Sequence, residues 1–348
     1  MSVNSLFFGG YCTAKLSNCR IKTDFSNVEK YIFAAKFTQV EIFNSLENIT
    51  IERPVVTIGS FDGVHIGHRQ VVENLKAEAR LRGGKSVVFT FWPHPAVVLG
   101  TEQFRLLSTL DEKIELFRQT GIDYLIVAPF SKAFSQIEYR DFVRDILVDK
   151  LHIDTLLLGY DNKIGHKGRG RFDEIGQLAA DYGFNIKKMS VIAEGNNPVS
   201  STKIRELLSQ GEVSKAANLL GRQYSLTGKV VKGNHIGSTI GFPTANLQPD
   251  ECKFVPGNGV YAVSAQVADK QCFGMLNIGS RPTIDTSNKE RSIEVNLFNF
   301  AGNLYGQSLT LNFIEKIRNE QKFSSIEELK IQLQADSRLI IEKVGMKA

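Results

Sequence analysis

Between about residues 54 and 191, short apolar runs of strand length alternate with segments whose apolar residues recur at helical spacing. The runs at 55–59, 86–91, 124–128, 155–158 and 184–191 are rich in Val, Ile and Leu and read as strands. Between them, 68–82 places Val71, Val72, Leu75 and Ala79 on one helical face. A second helix opens at Thr109, with Glu112 three residues on completing a capping box, and closes at Gly121. Alternating βα units of this length predict a doubly wound parallel sheet, in which ligands bind beyond the carboxyl ends of the strands. The loops after the strands are therefore where chemistry is expected.

After a helical stretch at 202–220 the texture changes. Alternating, β-branched segments at 226–231, 260–267, 272–278, 292–298 and 309–313, divided by turn signals such as ADKQ and FAGN, predict an antiparallel all-β domain, a small barrel. A final helix, capped by Ser324 or Ser325 and running to about Lys343, turns Ile326, Leu329, Leu333 and Ile340 inward. The fold class is thus α/β followed by β. The chain divides into an N-terminal extension (1–36), an α/β domain (37–210), a linker (211–222) and a barrel with its helix (223–348).

Composition narrows the class further. The 348 residues suffice for two cores, and no apolar run approaches the ~20 residues that cross a bilayer. Four cysteines, Cys12, Cys19, Cys252 and Cys272, form no CxxC pair, which fits a reducing cytoplasm and argues against a zinc site or a disulfide framework. The first ~35 residues lack the apolar core of a secretory signal. A net charge of +5 is spread without blocks, as on a solvated surface; it suits anionic small molecules such as nucleotides and gives no reason to expect nucleic acid or membrane as partner.

Candidate chemistry concentrates in a few loops. GSFDGVHIGH (59–68) follows a strand and opens a helix, and its glycines, Gly59, Gly63 and Gly67, let the backbone come close to a ligand. The helix start offers N–H groups and a positive dipole end to a phosphate, and His65 and His68 add donors. In VSSTKIREL (199–207), Ser200, Ser201 and Thr202 are capping types, while Lys203 and Arg205 place cations in a first turn, against the macrodipole, where a bound anion would relieve the conflict. FWPHP (91–95) sets His94 between two prolines at the expected ligand rim, and LGYDNKIGHKGRG (158–170) makes a polar loop around Asp161. The HIGH string and the KMS at 188–190 also occur in class I aminoacyl-tRNA synthetases, but Val191 stands where the latter motif needs Lys, and an all-β second half does not suit an anticodon-binding domain. GGKS at 83–86 is no P-loop, since Ala79 stands where Gly is needed.

In the second half, glycines including Gly233, Gly237 and Gly241 lead into GFPTANL (241–247), a phosphate-covering loop with Pro243 at its end. Thr244 and Asn246 alternate, which puts two hard oxygen ligands on one side of an extended segment, a set suited to Mg²⁺ with nucleotide phosphates. A lone TxN can also serve merely to satisfy a turn. Glu294, a carboxylate within a strand-like run, is placed to act as general base to a substrate hydroxyl, or else faces solvent.

Taken together, HxGH, FWPHP and SSTxxR resemble the adenylyl-transfer superfamily, and most closely the flavin-adenylylating domain of the prokaryotic bifunctional riboflavin kinase and FAD synthetase. GFPTANL, PGNGVY (256–261), GMLNIGSRPT (274–283), the stretch around Glu294, and FIEKIRNEQKF (313–323) resemble its kinase domain, in the family's order. The resemblance implies phosphorylation of riboflavin to FMN in the second domain, with Thr244 and Asn246 at the magnesium, Glu294 as base, and Gly233, Gly237, Gly241, Pro243, Arg281 and Arg318 around ATP and flavin. It implies adenylylation of FMN to FAD with release of pyrophosphate in the first, with His65, His68 and Arg205 stabilising charge and Gly59 to Gly63, His94, Asp161 and Ser200 to Thr202 around the ligands. Several positions depart from the family pattern: Asn162 and Ile164 replace an aromatic pair, Ile236 and Ser238 replace loop arginines, and Asn296 and Asn299 stand where relatives carry His and Asp. Two alternatives accompany this reading: an adenylyltransferase whose barrel only binds flavin, and a flavin-responsive or RNA-binding regulator.

Overall fold

The computed structural model describes residues 40–100, 104–159, 163–189, 193–194, 197–233, 237, 240–280 and 291–346. Asp161, Asn162, Ile236, Ser238, Arg281 and the extension at 1–36 lie outside them.

The α/β half runs β1 (Glu41–Phe43), β2 (Pro54–Ile58), α1 (Ile66–Arg82), β3 (Lys85–Trp92), α2 (Pro95–Leu99), α3 (Leu110–Arg118) and β4 (Tyr124–Pro129). It continues with α4 (Tyr139–Asp141), extended by wide π turns over Phe142–Val148, then β5 (Thr155–Leu158), α5 (Phe172–Tyr182) and β6 (Asn185–Lys188). The six strands form one parallel sheet in the order β1-β4-β3-β2-β5-β6. All five residues of β2 are buried, as a strand covered on both faces by helices must be. The chain leaves β2 toward β3 and leaves β5 toward β6, in opposite directions, so the crevice beyond these two neighbours is the switch point of the sheet. The loops there are 59–65 and the one after β5.

A two-residue ladder, β7 (Ala193–Glu194) with β8 (Asn197–Pro198), leads into α6 (Ser201–Ser209) and α7 (Val213–Leu220). The stretch expected to be one helix is two, broken at Gly211, whose φ of +80° favours glycine and whose Cβ would lie 2.8 Å from Tyr261 Oη. The expected linker is therefore mostly helix, and a packed one: Val213, Ala216 and Leu220 share a core with Ile204 and Leu208 of α6 and with the barrel interior.

The barrel consists of β9 (Ser225–Val231), β10 (Ala245–Pro249), β11 (Gly259–Val267), β12 (Lys270–Ser280), β13 (Arg291–Leu297) and β14 (Ser308–Arg318), closed in the order β10-β13-β12-β11-β14-β9. Residues alternate across its wall. Tyr261, Val263, Leu276, Ile278, Ile293 and Val295 fill the interior, while Val260, Ala262 and Met275 face outward onto α8 (Ile326–Lys343). Ile340 of α8 is fully buried there, and Leu329 and Leu333 are half-buried. Ile326, expected to face inward, is 57% exposed, because it precedes the two leucines that lie against the barrel wall.

Candidate active sites

At the switch point the segment from Gly59 to His65 is held by side chains rather than by secondary structure. Two of its non-glycine residues have positive φ, Phe61 at 47° and Val64 at 38°, a region costly to L-residues and more so to a β-branched one. The Asp62 carboxylate is buried and takes the N–H groups of Leu107 (3.0 Å) and Ser108 (3.2 Å) together with the Arg205 guanidinium. Ser201 Oγ donates to the Asp62 carbonyl at 2.8 Å, and Lys113 Nζ donates to the Ser60 carbonyl at 2.7 Å. Asp62 and Arg205, expected separately around the ligands, meet face to face within the protein. Arg205 also donates to the Arg105 carbonyl and lies 4.4 Å over Phe104, while Lys203 pairs with Glu206. The dipole conflict in the first turn of α6 is accordingly met by carboxylates of the chain itself.

His65 caps α1, its Nδ1 accepting the His68 N–H at 3.3 Å, which leaves its proton on Nε2. The two rings stack with centroids 3.6 Å apart. His94 caps α2 in the same way, accepting from Ala96 N, and stacks on Phe104 at 5.0 Å. Burial lowers the pKa of His65 and of His94 to about 4, and that of His68 well below the usual value, so all three are neutral donors at neutral pH. His68 Nδ1 is buried and has no hydrogen-bond partner among the described residues. Ser200 caps α6 through Lys203 N, whereas Thr202 is exposed.

Beside Gly59 and Ser60 opens a cavity of about 390 Å³, lined by Phe91, Phe130, Phe134, Phe142, Ile164 and Lys163. Its lining is rich in aromatic rings, and it lies beyond the carboxyl ends of β2, β3 and β4.

The barrel carries a second site on its outer wall. Antiparallel register sets Asn246 opposite Glu294, and Glu294 opposite Asn277, while Thr244 lies two residues before Asn246 on the same face. Thr244, Glu294, Asn277, Asn296 and Arg318 line a cavity of about 300 Å³ roofed by Leu329 and Leu333 of α8. Gly233 has no room for a side chain, since a Cβ would overlap the Asn246 amide, and at Gly237 a Cβ would overlap the Phe242 carbonyl. Gly241 adopts φ +88°. Asn296 Nδ2 donates to the Pro243 carbonyl at 2.7 Å, so this departure from the family pattern fastens the PTAN segment. Arg318 is drawn to Asp336 of α8 by a two-pronged ion pair, with Nε–Oδ2 at 2.9 Å and Nη2–Oδ2 at 2.8 Å. Asn299 sits in a turn at φ +54°.

The chain has relatives that span both halves. A family described as FAD synthetase matches residues 48–203, and one described as riboflavin kinase matches 220–343. The bifunctional riboflavin kinase/FMN adenylyltransferase of Escherichia coli strain K12 is 35% identical over 305 residues, 87% of this chain and 96% of that one. The chain belongs to the bifunctional riboflavin kinase/FMN adenylyltransferase family. Relatives of the same description from Haemophilus influenzae (36% identical; 83% of this chain, 94% of the relative) and Listeria monocytogenes (35%; 82% and 90%) cover both halves as well. A solved structure titled a macrolide-efflux protein from Streptococcus pneumoniae superposes with a TM-score of 0.77 at 26% identity, covering 86% of this chain and 98% of its own. Among the described residues no helix is long and apolar enough to cross a membrane.

Some residues around the α/β crevice escaped sequence reasoning. Lys113 is 1% exposed and its pKa is drawn down to about 8 by burial; its one sequence signal is its place four residues before Phe117 on the buried face of α3. Arg222 donates to the Gly63 carbonyl at 2.7 Å and the Val64 carbonyl at 3.3 Å. Lys253 of the kinase half is buried against Glu112 and the Leu107 carbonyl. Neither Arg222 nor Lys253 lies in a stretch whose pattern marks it.

Proposed function

We propose that the chain makes FAD from riboflavin in two steps, one in each half. In the barrel, the ribityl 5′-hydroxyl oxygen attacks the γ-phosphorus of ATP, its proton passes to Glu294, and ADP leaves. In the α/β half, a phosphate oxygen of FMN attacks the α-phosphorus of a second ATP and pyrophosphate leaves, with no proton to move. The observation that carries this reading is Glu294 lining a cavity together with Thr244, Asn277 and Arg318, with Asn246 opposite it in register, on the same chain as a neutral histidine pair at a helix N-terminus. Matches to a kinase and a synthetase family favour both activities over adenylyl transfer alone.

The residues take separate roles. His65 and His68, as neutral donors beside the N–H groups of α1, stabilise phosphate charge without carrying charge themselves. The aromatic cavity beside Ser60 suits a planar fused ring, and Lys163 at its rim suits an anion. Ser200 and Ser201 hold the start of α6 against the same loop. Thr244 and Asn246 offer oxygen donors only, and no group of three or more His, Cys, Asp or Glu among the described residues could hold a metal alone. They therefore fit Mg²⁺ shared with nucleotide phosphates; when bound, the ion supplies charge neutralisation there. Arg318, held by Asp336, presents a fixed cation to the kinase cavity.

The test is chromatography of flavins after incubating pure protein with ATP and Mg²⁺ and either riboflavin or FMN. FAD from both, with FMN appearing first from riboflavin, is expected. FAD from FMN alone would limit the function to the α/β half.

A further inference from the structure

The loop from Ser60 to His65 keeps two residues in the left-handed region, so something must hold its peptide planes. Its carbonyls show what does. Ser60 O accepts from Lys113 and from Thr90 Oγ1 (3.3 Å), and Asp62 O accepts from Ser201. All three donors belong to the stretch matched by the synthetase family. The Gly63 and Val64 carbonyls accept from Arg222, which lies in the stretch matched by the kinase family.

A second observation ties the same junction to α1. Gly221 adopts φ +66°, and a Cβ there would lie 2.8 Å from Ile66 Cγ2, the first residue of α1. The start of the kinase half is thus pressed against the N-terminus of the helix that carries His65 and His68. In a trans peptide the C=O and N–H point opposite ways, so drawing the Val64 carbonyl toward Arg222 sets the direction of the His65 N–H. Arg222 also bears on His65 through its charge, as one cause of that ring's lowered pKa.

Building on the proposed FMN adenylylation, we infer that Arg222 is a positioning residue for adenylyl transfer, contributed by the kinase half, which holds the Gly63 and Val64 carbonyls and so fixes the phosphate-facing start of α1. The α/β half is then complete only with the first residues of its neighbour.

The full-length chain tests this, since each activity controls for the other. In Arg222→Met, kcat for FMN adenylylation is expected to fall about 10- to 100-fold, the scale of a misplaced catalytic geometry, while kcat for riboflavin phosphorylation stays within about twofold. Arg222→Lys, which keeps charge and a donor, recovers part of the loss. Gly221→Ala, which pushes the junction off Ile66 with Arg222 intact, lowers adenylylation in the same direction. Adenylylation unchanged in Arg222→Met, or both activities falling in proportion with the thermal midpoint, overturns the inference. Absence of FMN adenylylation in the unmodified chain would instead overturn the function on which it rests.

Discussion

His65 and His94 are held neutral by burial, and this has a consequence for stability. With folded pKa values of about 4 against an ordinary 6.5, the unfolded chain binds more protons than the folded one between those values. Stability is therefore fully present above about pH 6.5 and is lost as pH falls toward 4. Urea midpoints at pH 7, 5.5 and 4.5 are expected to decline in that order, and replacing both histidines by Asn flattens the decline. Glu294 gives a sharper test at the same scale. Glu294→Gln keeps shape but cannot take a proton, so FMN formation is expected to fall at least 100-fold while FMN adenylylation is unchanged, read from paired flavin chromatograms. These residues were legible in the sequence because they stand in motifs of recognisable spacing. Lys113 and Arg222 were not, because their partners are backbone carbonyls, which leave no mark on residue types.

The parallel strands and the capped helices α1 and α3 follow directly from periodicity and from Thr109 and Glu112, whose reciprocal bonds are both present. Other elements needed tertiary context. β1 has three residues and offers no pattern, and β10 begins within GFPTANL, where Gly and Pro read as loop although Ala245–Pro249 pairs with β9 and β13. The break between α6 and α7 depends on Gly211 meeting Tyr261, a contact between distant segments. On α8 the decisive residue is polar: Asp336, 3% exposed, binds Arg318 and accepts from Gln332 at 2.8 Å. Asp336→Ala leaves Arg318 facing the cavity without its partner. The expected loss is about 3–5 kcal/mol of stability in denaturant unfolding, with a raised KM for riboflavin because α8 roofs that cavity.

Across the molecule, the two halves are not independent beads. Leu107, Ile204 and Leu208 lie in one apolar cluster with Tyr224, Leu226 and Tyr261, and Lys253 reaches across to Glu112 and the Leu107 carbonyl. The sequence change near residue 220 marks a boundary of fold type rather than a free joint. Among the described residues, the same construction gathers Lys113, Arg205, Arg222 and Lys253 about two carboxylates, Asp62 and Glu112. That surplus of positive charge where the two halves meet acts beyond contact range and is expected to favour encounter with polyanions such as ATP and FMN. Ionic strength should therefore govern encounter and not turnover. Raising salt from about 0.01 to 0.3 M shortens the screening length from about 30 Å to under 8 Å, so kcat/KM for FMN is expected to fall severalfold while kcat holds constant.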